Sequence, residues 1–335
     1  MMEELLERLC KAKGVSGNER EVAKILEEEL APFVEKTWKD NFGNLIFESG
    51  GNGPAVVIVA HMDEIGGMVK HVDKEGFLYF VDIGSNNPQQ LVGSRVLVGE
   101  GLPGVIQTKK KGKDLKVEDL YIDAGAGGPD ELKELGIGPG TLIVRGPSYD
   151  RLMGQRRISK SFDNRAGVCV MAETMKRAAD TGCRLIAAAS CQEEVGVRGA
   201  KVLSNYIEAD YVFALDVTFA VDTPQRSSDR DMNTCLGKGP AITLKDDHYL
   251  MRPDVRRFVE GVAERHGIPL QYDISTGGTD AGPLYVSKGV SVTVPILIPL
   301  RYMHTSSEVL DLGDLEQCVR LLLGLIEEID SHAKK

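Results

Sequence analysis

The chain is short of several things, and each shortage removes a class of protein. Its six cysteines, at 10, 169, 183, 191, 235 and 318, form no C-x-x-C pair, which speaks against a zinc knuckle or a dithiol redox motif. Several lie inside apolar runs, where cysteine acts as a small hydrophobe, so a reducing, cytoplasmic setting is expected. Aromatic residues make up 6% of the chain and there is one tryptophan, Trp38, so platforms for stacking sugars are scarce. No stretch approaches about 18 uninterrupted apolar residues, the length that signals a membrane span. The opening residues, 1–11, read as an acidic amphipathic helix with no basic or apolar region of a signal peptide. Positive charge is in deficit: 40 Lys and Arg stand against 50 Asp and Glu, a net charge of −10. Nucleic acid and anionic membrane surfaces are therefore not the expected partners. What remains is a soluble globular composition, 42% hydrophobic and 27% charged over 335 residues. That length can bury a sizeable core in one large domain or two ordinary ones.

The patterning has two textures. Leu5, Leu6, Leu9 and Cys10 share one helical face. Asn18 and Glu21 resemble a capping box, followed by Val22, Ile25, Leu26 and Leu30 at helical spacing. Residues 44–47 read as a short strand. Residues 55–60 (AVVIVA) form a continuous apolar run, as in a strand buried on both faces, and the run stops at His61-Met62-Asp63. The middle of the chain reads as short strands at 77–83, 95–98, 105–109, 120–123 and 141–144, with one short helix at 129–135. Residues 109–113 (KKKGK) read as a solvated hairpin tip. This density of strands and glycines suggests a small β-barrel or sandwich. The α/β texture then returns, with helices at 166–179 and 253–266 and strands at 184–191, 211–217 and 290–298. Gly267 stops the second helix, and Asp314 caps a last helix carrying Val319, Leu322, Leu325, Ile326 and Ile329. The simplest architecture is an α/β domain of residues 1–67 and 159–335 interrupted by an all-β insert, 68–158.

Candidate metal ligands collect just past buried strands. His61 and Asp63 follow AVVIVA, Glu193 and Glu194 follow RLIAAASC, Asp216 closes YVFALD, and His304 comes shortly after VTVPILIP. In open α/β sheets, ligands bind in the crevice at the carboxyl ends of the strands. Asp163 adds a contribution from a polar loop opening a helix. Two histidines with several carboxylates suit Zn²⁺, Co²⁺ or Mn²⁺. A pair of metals needs a carboxylate between them. His61-x-Asp63 has the spacing for a carboxylate that orients a metal-bound imidazole. Of the adjacent Glu193 and Glu194, one can bind metal while the other stays free as a general base.

Together, His61-Met62-Asp63-Glu64-Ile65-Gly66, Ser161-Phe162-Asp163-Asn164-Arg165, Gln192-Glu193-Glu194-Val195-Gly196, Ala214-Leu215-Asp216 and Met303-His304-Thr305 resemble, in order and over nearly the whole chain, the M42 family of metallo-aminopeptidases. The resemblance implies a mixed-sheet α/β/α zinc-peptidase-like domain with an inserted barrel or PDZ-like domain. It implies two divalent ions per subunit, zinc or cobalt first and manganese next. Asp163 would bridge them, His61 and Asp216 would complete one site, and Glu194 and His304 the other. Glu193 would be the general base and Asp63 the support of His61. It also implies a non-proline cis peptide after Asp163, peptide substrates with a free N-terminus, and a homo-oligomer, a dodecamer in relatives.

Taken singly, these residues have plainer readings. Asp163 alone would be a helix N-cap, Glu193-Glu194 a solvated turn, and His304 loop polarity. The Gly277–Gly282 segment looks like an anion-binding loop but lacks the strand–turn–helix context. A tight turn with Asp280 as a local cap serves as well, and the resemblance places it at the rim of the active site. Asp246-Asp247-His248 reads as a solvated loop, His71 as structural, His266 as the end of a helix and His332 as tail. Two rival functions are a glycoside hydrolase working through paired carboxylates, which leaves the two histidines without a role, and an inactive metal-binding scaffold, which leaves the spare glutamate without one.

Overall fold

The computed structural model describes residues 2–110, 112, 114–178, 180–224, 234–290 and 292–334. Its centre is an eight-stranded mixed sheet in the order Lys36–Lys39, Leu45–Gly50, Arg184–Ser190, Ala55–His61, Tyr211–Phe219, Val292–Leu300, Ala241–Lys245, Gln271–Ile274. The four middle strands are parallel to one another. These are the apolar runs legible in the sequence, and their carboxyl ends open on one edge. Side chains alternate between the sheet's faces. Val56, Ile58 and Ala60 join one hydrophobic cluster with the helices Met2–Lys11, Arg20–Leu30, Phe162–Arg177, Pro253–Arg265 and Leu312–Ala333. Val57 and Val59 join a second cluster with Leu203, Ala281 and Leu284, from the short helices Arg198–Leu203 and Ala281–Tyr285. The result is a three-layer α/β/α body.

Between the strand Ala55–His61 and the helix Phe162–Arg177, the chain builds a closed six-stranded barrel. Its order is Gly66–Val72, Leu78–Ile83, Leu120–Asp123, Leu102–Thr108, Arg95–Val98, Leu142–Arg145. The barrel has its own core, including Val69, Leu78, Phe80, Val96, Ile106, Leu120, Ile122 and Ile143. The chain then re-enters the body through the strands Tyr149–Arg151 and Arg156–Ser159, the latter pairing with Glu308–Asp311. Among the described residues, no helix is long and apolar enough to cross a membrane.

Two local expectations are corrected. Asn18 and Glu21 make no capping box: the second helix starts at Arg20 with Glu19 at the cap position, and the Glu21 carboxylate accepts instead from the Lys13 N–H at 2.8 Å. Asp314 does not cap the last helix; Asp311 does, accepting from the Gly313 N–H at 2.9 Å. Asp314 lies within the first turn and takes the N–H groups of Gly237 and Gly239 at 2.8 and 2.7 Å. The expected lysine-rich hairpin tip lies partly outside the described residues, at Lys111 and Lys113. Lys109 packs over the rings of Tyr79 and Tyr121.

Candidate metal centre

The register of the parallel strands brings the candidate ligands to one place. Ser190 pairs with His61 across neighbouring strands, so the Gln192-Glu193-Glu194 turn, entered through a left-handed Gln192 (φ 56°), lands beside His61. Asp216 pairs with Leu297 on the next strand. The loop after that strand turns back through two left-handed residues, Tyr302 (φ 60°) and His304 (φ 64°), and delivers His304. Asp163 sits in the irregular first turn of Phe162–Arg177, and the Asp163–Asn164 peptide is cis, as the resemblance implies.

Two donor groups form there. His61, Asp163 and Asp216 make one; Asp163, Glu194 and His304 make the other, with ligand atoms in each within 4.8 Å of one another. Asp163 belongs to both. Its Oδ1 lies 3.2 Å from His61 Nε2, and its Oδ2 lies 3.1 Å from His304 Nε2. Asp216 Oδ1 is 3.6 Å from His61 Nε2, and Glu194 Oε2 is 3.5 Å from His304 Nε2. Donors bound tetrahedrally at ~2.0–2.1 Å from an ion stand roughly 3.3 Å apart, so these spacings suit two ions sharing Asp163. The buried Glu194 Oε1 has no hydrogen-bond partner. Five carboxylates, counting Glu193 and Asp63, crowd two imidazoles, and this charge imbalance also suits divalent cations.

The electrostatics follow from that crowding. Burial alone would lower the His61 pKa, but the Asp163, Asp216 and Asp63 carboxylates override it and raise the imidazole well above its ordinary value. Burial works against the Asp163 carboxylate, and His304 and His61 outweigh it, so Asp163 is held low. Glu194 is pushed well up by burial and then by Asp163, and Glu193 by burial and then by Asp216 and Asp280. Asp216 is raised by burial despite its contact with His61.

The surrounding residues hold this arrangement. Asp63 is fully buried. Its Oδ1 accepts from the Glu193 N–H at 2.9 Å, and its Oδ2 accepts from the Glu194 N–H at 3.2 Å and from the Ser16 hydroxyl at 2.6 Å. Asp63 Oδ1 also lies 3.5 Å from His61 Nδ1. The sequence points only to that last contact, not to the support Asp63 gives the glutamate turn. No motif in the sequence marks Glu308. Its carboxylate accepts from the backbone N–H groups of Asp163 (3.1 Å) and His304 (2.8 Å), tying two candidate ligands together. Burial, with Asp163 beside it, pushes Glu308 up to about 8. The only sequence signal was an acid four residues past a candidate histidine. Arg145, from the barrel, donates to the His304 carbonyl at 2.6 Å.

The centre opens into a cavity of about 490 Å³, lined also by the Glu193 side and by Ser275 to Thr279. The glycine segment is thus at the rim. Asp280, however, does not cap the short helix that follows: its carboxylate accepts from the Ser190 hydroxyl, and burial pushes it up to about 7. Asp247 and His248 are exposed, as expected of a solvated loop, but Asp246 is buried and lines the cavity.

A parallel sheet edge carrying two imidazole–carboxylate groups joined through one aspartate has the make-up of a metallohydrolase. Comparison with known proteins narrows the class. Residues 43–321 match the family model of M42 glutamyl aminopeptidase. The chain is 36% identical over 330 residues to a putative aminopeptidase of Acetivibrio thermocellus, covering 97% of this chain and 98% of that protein. It is 32% identical over 341 residues to the lysyl aminopeptidase of Pyrococcus furiosus, covering 97% of each. The solved TET1 peptidase of Pyrococcus horikoshii, which can assemble into a tetrahedron or a large octahedral shell, matches with a TM-score of 0.88 at 31% identity, over 97% of this chain and 99% of that one. The chain belongs to the M42 family of peptidases.

Proposed function

We propose that the chain is a dinuclear metallo-aminopeptidase that removes N-terminal residues from peptides. The observation that carries this reading is Asp163, whose two oxygens face different histidines, each with a further carboxylate at 3.5–3.6 Å. Asp163 is assigned as the bridge, His61 and Asp216 as the rest of one site, and Glu194 and His304 as the rest of the other. Zinc or cobalt suits this set first, and manganese next. Bound there, the two ions would polarise the scissile carbonyl and lower the pKa of water from 15.7 toward about 7.

The residues of the chain do the rest. Glu193 lies outside both donor groups and lines the cavity. It is assigned as the general base: it takes the proton of the attacking water and passes one to the leaving amine. Asp63 holds both glutamate N–H groups and faces the back of His61, so it positions base and ligand together. The carboxylates at the centre, with a metal, would hold the α-amino group of the substrate, which confines cleavage to the chain end. In this reading residues 68–158 form an inserted domain that helps assemble a cytoplasmic homo-oligomer, a dodecamer, and light scattering that gives a monomer removes that part.

The test is a panel of amino-acid anilides offered to chelator-stripped protein reloaded with Zn²⁺, Co²⁺ or Mn²⁺. Cleavage that appears only on reloading is the expected result. Activity on a glucan that survives metal removal would favour the glycoside hydrolase instead, and failure to cleave any anilide would favour the inactive scaffold.

A further inference from the structure

Beside the five candidate ligands, the cavity has a second acidic wall that the proposed chemistry does not use. It is built on the edge strands Ala241–Lys245 and Gln271–Ile274. Asp246, just past the first of these, is 5% exposed and lines the cavity. Its Oδ1 accepts from the backbone N–H groups of His248 and Tyr249 at 2.6 and 2.7 Å, but its buried Oδ2 has no partner. Asp273, on the second strand, is equally buried. It accepts from Thr218 Oγ1 at 2.8 Å, Ser275 Oγ at 2.7 Å and Thr243 Oγ1 at 3.5 Å. All three hydroxyl residues line the cavity, and Asp273 itself lies behind them.

Among the described residues, no lysine or arginine forms an ion pair with either aspartate. Lys245, the cation nearest in sequence, pairs with Asp247 at 3.5 Å. Lys201, at the cavity, donates to the Gly196 carbonyl at 2.9 Å. Buried carboxylates are costly unless a cation or a full set of donors compensates them. Here one oxygen has no donor and the other carboxylate is served by hydroxyls alone. A cation entering the cavity would meet Asp246 directly and Asp273 through the hydroxyls in front of it.

The geometry also sets the length of that cation's stem. Thr218 is two residues past Asp216 on the same strand, so both face the same side, roughly 7 Å apart. A substrate residue whose α-amino group is held at the centre reaches the Thr218–Asp273 wall only with a long side chain. Leu297, Val217 and Met303 also line the cavity, and their apolar surface suits the methylene stem of lysine or arginine.

We propose that the wall made by Asp246 and by the hydroxyls of Thr218, Thr243 and Ser275, with Asp273 behind them, is the subsite for the side chain of the substrate's N-terminal residue, and that it selects a cationic one, lysine or arginine. The proposal rests on the aminopeptidase reading above. Its test is kcat/KM on the metal-loaded protein for the Lys, Arg, Leu and Glu anilides, in the wild type, Asp246→Asn and Asp273→Asn. The wild type should prefer the Lys or Arg anilide over Leu by about tenfold or more, and at least one variant should cut that ratio about tenfold. Because the ratio is taken within one preparation, partial misfolding of a variant cancels from it. A Leu or Glu anilide cleaved as well as or better than the cationic ones overturns the subsite while leaving the aminopeptidase intact, as does a ratio unchanged in both variants. A wild type that cleaves none of the four overturns the aminopeptidase reading and this proposal with it.

Discussion

At the scale of the residue, the sequence was most informative where a polar side chain interrupts an apolar run. His61 closes one buried strand, Asp216 stands in the second half of another, and Glu193-Glu194 follows a third within a few residues. A polar group there needs a partner, and this makes it visible without coordinates. Glu308 gave no such signal, because what it does depends on Asp163, 145 residues away in the chain. Asp63 was legible only in its nearer contact, since its bonds to Glu193 and Glu194 exist only once two strands lie side by side. The separation between ligand and base is itself open to test. Glu193 is outside both donor groups, so Glu193→Gln should keep its full metal content, measured by elemental analysis, while kcat falls by about 10²–10⁴-fold. Near-normal kcat in that variant would remove Glu193 as the base.

At the scale of the element, burial decided what could be read. The four central strands are mostly apolar and are recognisable as such. The edge strand Lys36–Lys39 is exposed at every position and is held only by pairing with Leu45–Gly50, so no periodicity announces it. The same holds for Tyr149–Arg151, Arg156–Ser159 and Glu308–Asp311, whose sheet depends on contacts between distant segments. The start of the last helix shows how two acids in one turn divide their work: Asp311 caps the helix, and Asp314 clasps the Gly237–Gly239 loop. Burial raises Asp314 from 3.8 to about 7, against the pull of those two N–H groups. The unfolded chain therefore loses this proton at lower pH than the folded one does. The stability tied to Asp314 is present below about pH 4, is lost as the pH rises toward 7, and is level above that. Asp314→Asn cannot ionise, so its Tm should fall less steeply between pH 4 and 7 than that of the wild type. The variant should also be less stable at low pH, by about 1–3 kcal/mol, because an amide oxygen serves one of the two N–H groups poorly. Parallel Tm–pH curves for the two proteins would contradict this account.

At the scale of the whole molecule, the candidate centre ties the barrel, both halves of the body and the first helices into one polar network. Arg145 reaches from the barrel to the His304 loop, Glu308 joins that loop to Asp163, and Ser16 joins the N-terminal segment to Asp63. Behind them, the fully buried Lys160 donates to both oxygens of Glu64 at 2.8 Å, and Arg165 donates to Glu64 at 3.2 Å, linking the helix Phe162–Arg177 to the segment between sheet and barrel. The five candidate ligands come from segments spread between residues 61 and 304, and the unfolded chain has no reason to hold them together. Ions that bind there should therefore stabilise the fold by linkage, by about 2.7 kcal/mol when free metal is at 100 times Kd. Protons compete for the same donors. Without metal, His61 and Glu194 are both held protonated to higher pH than usual, and those protons must leave before an ion binds. The gain in Tm on adding Zn²⁺ or Co²⁺ should accordingly be larger at pH 8 than at pH 6, and a chelator should reverse it. Thermal melts at the two pH values, with and without metal, check this directly, and an equal gain at both would mean that the ions bind somewhere other than this cluster of histidines and carboxylates.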